Sequence, residues 1–421
     1  MNQKVYITGA GVVSALGMDK AETLNALLNR RTGIEPVRYL QTAHTDIPVG
    51  EVKHSNDELR EMLKIPPSEA FIRSSLLGIH AVIEALKQAQ LFFPTGKLRI
   101  AFLSGITVGG MDQAELWYDD FLSNDSKNSF IELNDCGACT EQIADFFGCF
   151  WTVSTIVTAC SSSANTIMMG ADMIKSGRAD IVVAGGTECL SRYHVNGFNT
   201  LMILDRAICR PFDRDRSGIN LGEGAGYVVL ESAHTMQCRG IKPLCELSGY
   251  CNVCDAFHPT ASSPDGLGPY LAMKGALEAA GLKPEDIGYL NAHGTGTPNN
   301  DLTEGLAAMR LFGNNVPPLS SIKAYTGHTT SAAGSFEAVV SLLALTHNFL
   351  PVNLNFRNRI EEHNFSPVTD PTPSRPIQHV LSNSFGFGGN DSAIILSKYS
   401  PFERSYENQS MCLFVSLRKT T

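Results

Sequence analysis

The chain has 421 residues, 43% hydrophobic and 18% charged, with a net charge of −9. That length suits a large core or about two to three domain-sized units, and the acidic balance argues against a general nucleic-acid binder. Eleven cysteines, an odd number scattered over a long chain, do not make a secreted disulfide framework, so a reducing, cytoplasmic setting is expected.

The opening MNQKVYITGAG lacks the basic region and small-residue cleavage site of a signal peptide and reads as a first strand. A helix is expected over KAETLNALLNRR (20–31). From there on, short β-rich runs alternate with longer segments of helical period, which predicts an α/β fold with layers and largely parallel sheets. Residues 153–159, VSTIVTA, are a β-branched run, and the serines at 161–163 are expected to cap a helix. Ala164, Ile167, Met168, Ala171 and Ile174 then recur at helical spacing, with Lys175 and Gly177 suited to the last turn and the stop. DIVVAGGTE (180–188) is the next strand. Cys160 is thus placed at the carboxyl end of a strand, beside a helix N-terminus.

The second half repeats this grammar. IGYLNA (287–292) reads as a strand running into His293; a helix follows, with Asp301 and Glu304 at capping-box spacing and Gly313 at its end. PLSSIKA (318–324) is a strand, TGHTTSAAGS a small-residue junction holding His328, and FEAVVSLLALTHN a helix. This last apolar stretch is too short and too interrupted to span a bilayer. A strand, a reactive type of residue and a small-residue helix start therefore occur twice, a pattern of internal duplication without residue identity. Residues 399–421 lose the regularity.

Several residues carry chemical interest. A thiolate, not a thiol, is the nucleophile, and a helix N-terminus favours an anion. Cys160 is therefore suited to attack a thioester, with nearby N–H groups holding the oxyanion. On local sequence alone, inert packing is the commoner role for such a cysteine. His293 in AHGTGT and His328 in KAYTGH stand at similar junctions among glycines and threonines, and pockets in α/β sheets form at carboxyl strand ends. Two CxxC pairs, Cys136/Cys139 and Cys251/Cys254, would allow a zinc-binding scaffold. They lie far apart and outside any ribbon-like unit, and no metal site is expected. Arg206, Arg210, Arg214 and Arg216 crowd one segment, either a solvated face or a patch for an acidic partner.

TACSSS, PFDRDRSGINLGEGAGYVVLE (211–231), NAHGTGT, SIKAYTGH and NSFGFGG (383–389) occur in the order found in β-ketoacyl-[acyl-carrier-protein] synthases, over roughly residues 3–398. The Cys-His-His set is similar to that of the elongating ketoacyl-ACP synthase II. The resemblance implies a thiolase-like fold of two duplicated halves in αβαβα layers. Residues 1–240 would carry the nucleophilic Cys160, residues 241–398 both histidines, and 399–421 a tail without counterpart.

It also implies a decarboxylating Claisen condensation. Cys160 would take an acyl group from the phosphopantetheine arm of an acyl carrier protein and condense it with malonyl-carrier protein in fatty-acid elongation, without a further cofactor. His293 and His328 would polarise the malonyl thioester, Lys323 would orient the histidines, and Glu337 would support them. Without the resemblance, Lys323 and Glu337 read as a structural ion pair. The N–H groups of Cys160 and Phe387 would form the oxyanion hole. Phe387 resembles a gate, Thr295 and Thr297 would hold the pantetheine arm, and Val108 in SGITVGG would line the dimer-side end of the acyl pocket. Arg206 and Arg210 are candidate carrier-protein contacts. A homodimer is implied, with no nucleic-acid or membrane partner. Asn300 stands where glycine is common, and Asn390 where threonine is usual. These departures leave an alternative: a ketosynthase of a polyene or type II polyketide pathway, in a heterodimer with a non-catalytic chain-length partner. That the chain is itself such a non-catalytic partner is argued against by Cys160, because those proteins lack the nucleophile.

Overall fold

The β-branched runs assemble into a ten-stranded mixed sheet in the computed structural model, which describes residues 3–92, 98–124 and 126–400. The strands are β1 (Val5–Ser14), β2 (Ile100–Gly105), β3 (Thr152–Ile156), β4 (Ile181–Glu188), β5 (Gly224–Ser232), β6 (Cys245–Cys254), β7 (Tyr289–Asn291), β8 (Leu319–Ser320), β9 (His379–Gly386) and β10 (Asn390–Lys398). Their order is β3-β2-β4-β5-β1-β6-β10-β9-β7-β8.

That order is a mirror. Outward from its middle, one half runs β1, β5, β4, β2, β3 and the other β6, β10, β9, β7, β8. In each half the two inner pairings are antiparallel and the two outer ones parallel. The halves join where Val5–Ile7 pairs with Leu247–Cys245. The sheet is therefore mixed rather than largely parallel as expected. One reason is local: β9 and β10 are joined by the tight Phe387–Gly389 turn, where Gly388 and Gly389 have φ of +83° and +77°. A connection that short can only return the chain antiparallel.

Strand alternation divides the core. On β4, Val182 and Ala184 enter the central core while Ile181 and Val183 face the outer one; on β10, Ile394 and Leu396 face the centre and Ala393 and Ile395 outward. Two helices, Ser162–Lys175 and Ala333–His347, fill the central layer. Residues Ala333 to Leu345 are buried throughout, which explains why apolar residues lie on every side of this helix. Outside lie Arg73–Gln88 on one half and Leu267–Ala280 on the other. The result is the thiolase-like αβαβα arrangement. The central helices meet at their N-termini, where a Cβ on Gly334 would lie 2.7 Å from the Ala164 nitrogen. Of the tail 399–421, all but two residues lie outside the described ones. No described helix is long and apolar enough to cross a membrane.

Candidate active site

Cys160 follows β3 and His328 follows β8, equivalent positions in the two mirrored halves. Each is delivered just before one of the central helices, so the close packing of those helices brings the two side chains together. The turn into Cys160 is strained: Ala159 has φ +52°, a left-handed conformation that costs a non-glycine residue about 1 kcal/mol or more. The expected serine caps are not formed. Helix Ser162–Lys175 has no side-chain cap; its serines brace the turn instead. Ser161 Oγ lies 2.7 Å from both the Thr158 carbonyl and Asn390 Oδ1, which share its single proton, and Ser162 Oγ donates to the Ala159 carbonyl at 2.7 Å. Ser163 Oγ accepts the Ser335 N–H of the other central helix at 2.9 Å.

His328 Nε2 lies 3.0 Å from Cys160 Sγ, and the His293 ring stands edge-on to His328 with centroids 5.3 Å apart. All three side chains are buried. Lys323 Nζ is 2.6 Å from Glu337 Oε1, 3.4 Å from His293 Nδ1, and donates to the His293 carbonyl. Burial pushes the Cys160 thiol up to about 11, opposed by the Lys323 cation and by the backbone N–H groups of Phe387 and Cys160, which point at the sulfur. The expectation that the helix N-terminus would favour the thiolate is thus outweighed by desolvation. Both histidines are held well below their ordinary range, first by burial and then by the Lys323 charge, so they are neutral. Burial raises Glu337 to about 7 against the pull of Lys323. The resting centre is a neutral thiol beside two neutral imidazoles, with one buried cation behind them.

Two carboxylates that the sequence reading took for a capping box do something else. Glu304 accepts the backbone N–H of His293 at 2.9 Å and of Gly294 at 2.8 Å, and takes Asn383 Nδ2 at 2.9 Å. Asp301 accepts the N–H groups of Gly296 and Phe212. The helix Pro298–Phe312 begins after Thr297, without a side-chain cap. The signal was present as two acids on the first helical turns after a glycine-rich loop, but only the fold shows that they turn back to hold that loop.

A cavity of about 320 Å³ leads to this centre, lined by Cys160, His293, His328, Thr295, Thr297, Phe198 and Phe387 among others. Thr295 and Thr297 hydrogen-bond to each other through their hydroxyls at 2.8 Å. Phe387 is half-buried and stacks on Phe198 at 5.8 Å. Val108 does not line this cavity; it is buried beside the turn that starts the helix Met111–Ser123. The arginines divide. Arg216 is enclosed and braces the Thr297 and Pro298 carbonyls, Arg214 pairs with Asp215, and exposed Arg206 pairs with Asp46. Arg210 is partly exposed and its backbone nitrogen packs against Gly296. The departures are accommodated: Asn300 donates to Asp301 at 3.1 Å, and Asn390 Oδ1 also accepts from Asn165 and Asn252. Among the described residues, only Cys160, His293 and His328 form a group of three close enough to share a metal ion, and the two CxxC pairs do not come together.

A buried cysteine with two converging histidines, on a sheet of two like halves, agrees with what the motif resemblance implies. The model of the β-ketoacyl synthase N-terminal domain matches residues 2–235, and that of the C-terminal domain residues 244–357. The chain belongs to the β-ketoacyl synthase family. This ketosynthase is 31% identical to 3-oxoacyl-[acyl-carrier-protein] synthase 2 of Staphylococcus aureus, over 94% of this chain and 99% of that one. It is 33% identical to nodulation protein E of Rhizobium meliloti, with the same coverage. Among solved structures, the ishigamide ketosynthase/chain length factor matches with TM-score 0.88 at 30% identity, over 95% of this chain and 100% of the other. A Xenorhabdus doucetiae ketosynthase (ApeO) in complex with its chain length factor (ApeC) matches with TM-score 0.81 at 30% identity, over 94% and 98% of the two chains.

Proposed function

We propose that this ketosynthase carries out a decarboxylating condensation that extends an acyl chain held on Cys160. The observation that carries the reading is the approach of His328 Nε2 to Cys160 Sγ at 3.0 Å, with the Phe387 and Cys160 N–H groups aimed at the same sulfur. In the first step the Cys160 sulfur forms a bond to the acyl carbonyl carbon, and the carbon–sulfur bond to the carrier arm breaks. The arm leaves as a thiol with the cysteine proton. The two N–H groups hold the oxyanion during this exchange.

In the second step malonyl-carrier protein loses carbon dioxide, and the electron pair left behind forms an enolate. Neutral His293 and His328 donate N–H groups to the thioester oxygen as that charge develops; charged imidazolium is not needed. The enolate carbon attacks the acyl carbonyl, the bond to Cys160 sulfur breaks with its electron pair on sulfur, which takes a proton from water to restore the thiol, and a 3-oxoacyl thioester leaves. Lys323 and Glu337 position His293 from behind, while Thr295 and Thr297 stand where a polar pantetheine arm passes.

Fatty-acid elongation is one use of this chemistry. A polyene or polyketide pathway is the second reading, favoured by the likeness to the two ketosynthase and chain-length-factor structures at 30% identity. The edge strand β3, with Trp151 61% exposed and Val157 55% exposed beside it, suits pairing with either an identical chain or such a partner. Intact-mass measurement after incubation with a panel of acyl-carrier proteins tests the reaction: an acyl adduct forms on the wild type and is absent from Cys160→Ala. An adduct that persists in the variant overturns the mechanism.

A further inference from the structure

The two N–H groups aimed at Cys160 Sγ come from segments far apart in the chain: Cys160 itself, after β3, and Phe387, in the turn between β9 and β10. Donors of an oxyanion hole act only from fixed, preorganised positions, so the two turns have to be held in register. They touch at Gly386, where a Cβ would lie 3.3 Å from the Cys160 nitrogen and 2.9 Å from the Thr158 carbonyl oxygen. Gly386 has no side chain to fix that contact.

Asn390 fixes it. This residue opens β10 and pairs with Gly386 across the Phe387–Gly389 turn. Three donor groups converge on its Oδ1: Ser161 Oγ at 2.7 Å, Asn252 Nδ2 at 2.7 Å and Asn165 Nδ2 at 2.9 Å. Ser161 directly follows Cys160, and its hydroxyl also lies 2.7 Å from the Thr158 carbonyl. Asn165 Nδ2 reaches the Thr158 hydroxyl too, at 2.8 Å. These bonds bracket Cys160 from both sides. Between them sits Ala159 at φ +52°, a conformation that persists only where the surroundings hold it. Asn252, on β6, braces Asn390 from behind and donates to Ser392 Oγ at 2.9 Å. One amide oxygen thus joins the turn that carries the nucleophile to the turn that carries Phe387. A threonine hydroxyl, usual at this position, stands one bond nearer the backbone than that oxygen.

We propose that Asn390 is a positioning residue that sets the spacing of the Cys160 and Phe387 N–H groups, and through them the stabilisation of the oxyanion in acyl transfer. This role rests on Cys160 as the acyl acceptor. Asn390→Leu keeps the size and removes the acceptor, whereas Asn390→Asp keeps an acceptor oxygen. Ser161→Ala removes the facing donor, and so tests the same tie if Asn390→Leu fails to fold. Two rates are read: single-turnover acylation of Cys160 by the acyl-carrier protein that loads the wild type fastest, and alkylation of Cys160 by iodoacetamide at pH 8. Deleting one oxyanion donor costs about 10²–10³-fold in rate, so misplacing one is expected to slow acylation about tenfold or more in Asn390→Leu and Ser161→Ala, and less than about threefold in Asn390→Asp. Alkylation forms no oxyanion; it slows only as the N–H groups lose their hold on the thiolate. A merely structural loosening moves alkylation the other way, because water then reaches a thiol that burial holds up. Unchanged acylation in both Asn390→Leu and Ser161→Ala, an equal loss in Asn390→Leu and Asn390→Asp, or slower acylation with faster alkylation overturns the positioning role while leaving the condensation intact. No adduct on the wild type, or an adduct that persists in Cys160→Ala, overturns both.

Discussion

Glu304 reaches back across its own helix start to accept the backbone N–H groups of His293 and Gly294, at 2.9 and 2.8 Å. It fixes the loop that presents His293 without touching the cavity itself, and burial raises its pKa against those donors. Replacing it by alanine strands two N–H groups in a dry interior and frees the loop. Charge-assisted hydrogen bonds of this type contribute about 1.5–3 kcal/mol, so Glu304→Ala is expected to slow condensation by roughly ten- to a hundredfold. Acylation of Cys160, which does not need His293, continues. Single-turnover mass measurement of the acyl adduct, set against product formation, separates the two steps.

Lys323 and Glu337 are each 1% exposed and joined at 2.6 Å. Removing one partner of a buried ion pair leaves the other uncompensated, at a cost of about 3–5 kcal/mol. Lys323→Met is therefore expected to lower stability by that order in urea denaturation. The same change removes the cation that holds the Cys160 thiol down. Alkylation of Cys160 by iodoacetamide at pH 8 should then be slower than in the wild type, which a merely structural pair would not produce in the fraction still folded.

Asp391, 2% exposed and with Oδ2 unpartnered among the described residues, is raised to about 8 by burial and by the negative charges of Asp255 and Glu304. A carboxyl whose folded value lies above its unfolded one binds its proton more tightly in the native state. Its contribution to stability is fully present below about pH 4 and is lost as the pH rises through about 8. Asp391→Asn removes this dependence. Thermal unfolding should find the variant more stable than the wild type at pH 9, by about 1–3 kcal/mol, with the gain smaller at pH 5 and gone below about pH 4.

Arg206 is already paired with Asp46, whereas Arg210 carries no ion pair among the described residues and packs by the Thr295–Thr297 loop. If an acidic carrier protein docks at the cavity mouth, charge reversal acts mainly on association. Arg210→Glu is expected to raise the KM for carrier protein by about tenfold, the equivalent of roughly 1.4 kcal/mol. Arg206→Glu has a smaller effect. Steady-state kinetics at low and high salt check the order, and an unchanged KM in the double variant ends the proposed role of both arginines.

Much of the site was legible because the chain announces strand ends. The β-branched run before Cys160, the strand-like PLSSIKA before His328 and the glycines around His293 placed three candidate residues at carboxyl strand ends, and the structure joins them. What misled was local chemistry read as local bonding. The serines after Cys160 and the Asp301/Glu304 pair have capping spacing, yet they bond elsewhere: Ser161 and Ser163 reach Asn390 and Ser335, Ser162 turns back to the Ala159 carbonyl, and the acids take the N–H groups of the His293 loop. Short polar side chains bond to whichever backbone is nearest, and nearness between distant segments is not written in a window of a few residues.

The sequence by itself determined the repeated strand-to-helix pattern, the candidate residues of the site and the family the chain belongs to, because periodicity and ordered motifs are properties of the linear chain. The mirrored sheet, the 3.0 Å approach of His328 to Cys160 and the uncharged state of the thiol and both imidazoles were decided only in three dimensions. Helix N-terminus and thiol are adjacent in sequence and pointed to a thiolate. The desolvation that opposes it comes from the central helices and from the second half of the chain, and burial is a sum over neighbours that only the folded structure supplies.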